Sequence, residues 1–101
     1  MAQSPTRLVL SHAREMIKDP NHWLQGAWKC QLPDGGWRRC GYQAVHDAAH
    51  EIGLPDTAAM KALARALGDA RRSPRLVIPA FNDRSTHTDV LALFDLALEN
   101  A

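Results

Sequence analysis

No apolar run in this chain of 101 residues approaches the roughly 20 needed to span a bilayer, so no membrane association is expected. The start, Met1-Ala2-Gln3-Ser4-Pro5-Thr6, lacks the basic opening and apolar centre of a secretory signal. A cytoplasmic location is the corresponding expectation. Excess charge of one sign is missing as well: the formal net charge is +1, which by itself singles out neither nucleic acid nor an acidic surface as a partner. There are only two cysteines, ten residues apart, whereas common zinc modules pair theirs two to four apart. Internal repeats and low-complexity segments are absent. What remains is an ordinary globular composition, 46% hydrophobic and 23% charged, at the length of one domain.

The charge that is present is unevenly placed. Residues 60–75 hold Lys61, Arg65, Arg71, Arg72 and Arg75 against Asp69 alone, and residues 80–101 hold Arg84 against Asp83, Asp89, Asp95 and Glu99. A basic end and an acidic helix follow, an asymmetry that can steer a charged partner.

Helix signals punctuate the chain. Ser4-Pro5 opens a helix carrying Leu8, Val9, Ala13, Met16 and Ile17, and Asp19-Pro20 stops it. Tyr42, Val45, Ala48, Ala49 and Ile52 share a second helical face, with Gly53 as C-cap. A third helix follows Asp56 or Thr57 and ends near Gly68. The last runs from about His87 to Glu99, capped by Thr86 with Asp89 in its first turn. Between the first two helices, Pro33-Asp34-Gly35-Gly36 separates short runs bearing Trp28 and Trp37, which predicts a β-hairpin. A two-residue Asp34-Gly35 turn staggers Cys30 and Cys40, whereas a three-residue Asp34-Gly35-Gly36 loop sets them opposite each other. Leu76-Val77-Ile78, bracketed by Pro74 and Pro79, reads as a short edge strand leading into a polar Asn82-Asp83 turn. The predicted fold is α+β over residues 1–101, about four α-helices packed around a small hairpin that residues 76–78 are placed to join.

Trp23-Leu24-Gln25-Gly26, Cys40 ahead of a small-residue helix, and Phe81-Asn82-Asp83 followed by Thr86 and Val90-Leu91-Ala92-Leu93 resemble an uncharacterised domain family of actinobacteria and their phages. That family's pattern has a Gly-Ala pair after the Cys, where this chain has Gly41-Tyr42, and often Trp in place of Phe81. The resemblance implies a small α-rich domain in a phage or mobile-element setting.

Three functional readings stand side by side. No catalytic set is fixed by spacing and no cofactor is expected, so the leading one is a non-enzymatic binding or inhibitor module acting by protein–protein contact. Trp37, Arg38 and Arg39 on the hairpin are its expected contact residues, with Asn82 and Asp83 as a second patch. The first alternative is nucleic-acid binding through Arg38, Arg39, Arg71, Arg72 and Arg75. The second is a metal-dependent or zinc-stabilised module in which His46 and His50, four apart on one helix face, join Cys30 and Cys40.

Overall fold

Ser4 caps the first helix as its position demands: its hydroxyl accepts from the Arg7 N–H at 3.2 Å, and Pro5 occupies the first turn, where no N–H is needed. The computed structural model describes residues 4–101; the start of the N-terminal segment lies outside them. The chain runs through α1 (Pro5–Ile17), a single 3-10 turn (Pro20–His22), β1 (Lys29–Gln31), β2 (Trp37–Arg39), α2 (Gly41–Ile52), α3 (Thr57–Ala66), α4 (Pro74–Arg84) and α5 (His87–Glu99). Among the described residues the fold is therefore α+β and mostly helical, with five α-helices and one two-stranded antiparallel hairpin. None of the described helices is long and apolar enough to cross a membrane.

Helix α1 lies chiefly against α2, α5 covers α1 and α3, and α4 packs on α2 and α3. Leu10, Ile17, Val45, Leu63, Ile78 and Phe94 meet at the centre and are almost wholly buried. The expected helix ends are found. Gly53 closes α2 in the left-handed region at φ 79°, its N–H reaching the Ala49 carbonyl. Thr86 accepts from Asp89 N at 3.1 Å. Asp56 precedes α3 without capping it; its carboxylate lies 3.2 Å from His46 Nδ1 instead.

Residues 76–78 are not a strand. They form part of α4, because Ser73 and Pro74 start a helix rather than end a loop: Leu76 and Val77 both donate to the Ser73 carbonyl. The buried positions Val77, Ile78 and Asn82, with half-buried Phe81, recur at helical spacing and face α2 and α3. Pro79 sits inside the helix and leaves the Arg75 carbonyl without its usual intrahelical donor. The chain that does extend the hairpin is Trp23-Leu24: Trp23 bridges Arg39 in parallel, and Leu24 N donates to the Arg39 carbonyl at 3.0 Å.

The hairpin register also differs from both expectations. Pro33 presets the first corner of a turn closed by Gly35 N donating to Leu32 O, and Gly35 takes φ 89°, a value that favours glycine. The loop is thus Pro33-Asp34-Gly35. Cys30 faces Arg38 across the ladder, and Cys40 lies next to Trp28. The two cysteines are not partners; both are free, Cys30 exposed and Cys40 buried.

Candidate functional site

Asn82, read from the sequence as part of a polar turn, is instead in the last turn of α4, 1% exposed. Its Oδ1 accepts from Trp23 Nε1 at 2.8 Å and from Gly41 N at 2.9 Å, and its Nδ2 donates to Leu24 O at 2.8 Å. Gln25 donates to the carbonyls of Asn82 and Ser85, and Gly26 N donates to the exposed Asp83 carboxylate at 2.9 Å. One side chain therefore ties together the loop after α1, the start of α2 and the end of α4. A buried amide with all these partners is structural, because losing any of them strands a polar group away from water. The three sequence segments that carry the family resemblance converge here. Their shared role is to hold this knot.

Arg39 on the hairpin is likewise committed. Arg39 donates through Nε to Asp47 Oδ2 at 2.7 Å, and each side chain is only 16% exposed. Gln43 adds 2.8 Å to Asp47 Oδ1, and Lys29 Nζ lies 3.6 Å from Oδ2. Burial alone would raise the Asp47 carboxyl, but the hydrogen bonds from Arg39 and Gln43 and the charges of Lys29 and Arg39 outweigh it and hold it below the ordinary value. Arg38 is half-buried, and its Nε is enclosed with no protein partner. Trp37 is half-buried with the Lys29 ammonium 4.9 Å above its ring. Arg39 is therefore not the free surface charge that the hairpin suggested, and the Arg38 side chain is half-buried without a hydrogen-bond or ion-pair partner among the described residues.

What stays open lies beside them. Trp28, 46% exposed, meets Tyr42 at 5.3 Å between centroids with the rings tilted by 55°. The pair walls an open groove of about 560 Å³ that Ala27, Lys29, Gln43, His46 and Arg75 complete. A smaller hollow of about 210 Å³ shares Ala27 and Trp28 with it and is bounded also by Gly26, Cys40, Pro79 and Asp83. The hairpin supplies Trp28 and Lys29, α2 supplies Tyr42, Gln43 and His46, and α4 supplies Arg75. Arg75 has no ion-pair partner among the described residues. In the hollow, Cys40 caps α2 by accepting from Gln43 N at 3.3 Å. Burial pushes its thiol up, and the Asp83 charge adds to that against the weaker pull of the Gln43 and Tyr42 amides. It is a protonated packing group rather than a nucleophile.

The remaining expected sets disperse. Cys30 is exposed on the hairpin, Cys40 is buried, His46 turns to Asp56, and His50 is exposed elsewhere on α2. Among the described residues no three His, Cys, Asp or Glu side chains gather as a metal site, so these four do not form one. Of the five arginines proposed for phosphate, Arg39 is held by Asp47, Arg72 is 3.3 Å from Asp69, and Arg71 borders a different hollow. Arg75 alone lines the groove. The Trp28–Tyr42 pair was not legible in the sequence, because the crossing of hairpin and α2 creates it; the only signal was a Trp next to a predicted strand.

Neither a curated protein nor a solved structure matches this chain. A family model described as a family of unknown function (DUF6197) matches residues 1–100, and the chain belongs to that family.

Proposed function

We propose that this domain is a non-enzymatic binding module that acts in the cytoplasm by protein–protein contact, with the Trp28–Tyr42 groove as its contact surface. The observation that carries this reading is a half-exposed Trp28, braced by Tyr42 and flanked by Arg75, which has no ion-pair partner among the described residues, whereas the nearby Arg39 and Gln43 side chains are bonded to Asp47. Trp, Tyr and Arg are the residues that dominate binding energy at protein interfaces. An inhibitory or host-modulating role in a phage or mobile element is the setting we favour, on the resemblance noted above. Inspection of neighbouring genes checks the setting: a place among ordinary metabolic genes, with no phage or defence genes nearby, counts against it.

The test of the binding reading is capture from host cells by the wild-type protein and by Trp28→Ala, followed by reconstitution from purified components. A protein that binds wild type in purified form, and binds Trp28→Ala at least about tenfold more weakly, supports the reading. A partner that binds both equally assigns the contact to another surface. Nucleic-acid binding is the competing reading. It predicts retardation of single- or double-stranded DNA or RNA in a gel, falling steeply as salt rises.

A further inference from the structure

We propose that the Trp28 groove takes an acidic segment of a protein partner, a carboxylate meeting Arg75 and Lys29 while a neighbouring aromatic or aliphatic side chain lies against Trp28 and Tyr42. This rests on the protein-binding reading above and names the chemistry of the partner.

Charge decides it. Of the seven residues lining the groove, Lys29, Arg75 and, when protonated, His46 carry positive charge, and none carries negative charge. The two nearby carboxylates are already engaged, Asp47 by Arg39, Gln43 and Lys29, and Asp56 by His46. Arg75 keeps its full guanidinium for an incoming group and can hold a carboxylate through two parallel N–H donors. The smaller hollow that shares Trp28 has the opposite sign, because Asp83 borders it. That polarity places the carboxylate in the groove with Arg75 and excludes it from the smaller hollow. The aromatic wall supplies the apolar contact, and about 560 Å³ in an open groove accommodates a few side chains of an extended segment.

A phosphate backbone fits the same groove less well. Tight nucleic-acid binding rests on several phosphate contacts, of the order of six to ten, along a cationic track. Here Arg39 and Arg72 already have carboxylate partners and Arg71 borders a different hollow, which leaves too few cations along the groove for such a track.

The experiment is a random-peptide display library panned on the folded wild-type protein, with Trp28→Ala as counter-target and Trp28→Phe as a variant that retains the ring packing on Tyr42. Circular dichroism establishes that each variant is folded. Trp28-dependent peptides should carry Asp or Glu close to an aromatic, Leu, Ile or Met residue. Their synthetic versions should bind about fivefold more weakly to Arg75→Glu, and more weakly again as salt rises from about 50 to about 500 mM. Trp28→Phe should retain most of the binding. Trp28-dependent peptides that are neutral or basic and indifferent to Arg75→Glu overturn this proposal and leave the protein-binding reading standing. A library that yields no Trp28-dependent peptide overturns both. Oligothymidylate that binds wild type more tightly than the selected peptides and is lost in Trp28→Ala reassigns the groove to single-stranded nucleic acid.

Discussion

At Asn82 each side-chain polar atom has a partner within the protein; at Trp28, across the same loop, a large ring and an unpaired guanidinium face solvent. Both regions draw on the chain between α1 and α2 and on α4. In the sequence they look alike, since Asn82-Asp83 and Trp37-Arg38-Arg39 have as much polar and aromatic chemistry as Trp28-Lys29 with Arg75. What separates them is whether the fold consumes that chemistry. The Asn82 amide replaces water for three otherwise orphaned groups, so its worth is stability. The Trp28 ring leaves about half its surface in water, and the energy of covering it is available to a partner.

The comparison can be broken most sharply at Asn82. Asn82→Ala strands Trp23 Nε1, Gly41 N and Leu24 O and should cost about 3 kcal/mol in chemical denaturation. An unchanged midpoint would make the knot decorative. Next in size is Arg39→Ala, which leaves the Asp47 carboxylate in a half-buried place with only Gln43 and Lys29; about 2 kcal/mol is expected.

Acid should sharpen the same point. Because folding lowers the Asp47 carboxyl below its usual 3.8, its contribution is complete above that value and is lost as pH falls through the lower folded value. Wild type and Asp47→Asn should therefore differ most near neutral pH and converge in strong acid. A gap that persists at all pH values would mean that the ionised carboxylate is not what matters.

Trp28→Ala should cost about 1 kcal/mol or less, the loss of its contact with Tyr42, while removing binding. The smallest effect is chemical. A thiol reagent should label Cys30 on the folded protein and leave Cys40 until it unfolds, since Cys40 is buried and its thiol is pushed up. Equal labelling rates would contradict the packing around the start of α2.

The sequence was most informative where one residue decides a local geometry. Ser4, Thr86 and Gly53 mark helix ends by their own hydrogen bonds or backbone freedom, and four helices were legible from them together with apolar spacing. It misled where local signals conflict with packing. Leu76-Val77-Ile78 between two prolines has the composition of an edge strand, but Pro74 belongs at a helix start and Val77, Ile78 and Asn82 form one buried face. Asn82 had the same history, because a side chain that satisfies its own turn and one that joins distant elements are the same residue type. The hairpin was legible and its register was not, since Pro33 shifts the turn by one position. Groove partners such as Trp28 and Arg75 come together only through tertiary crossing.

The most direct test of the division between knot and groove is thermal unfolding of Asn82→Ala and Trp28→Ala side by side. A fall of roughly 12 °C or more is expected for Asn82→Ala and of about 5 °C or less for Trp28→Ala. Equal falls, or the reverse order, would contradict it.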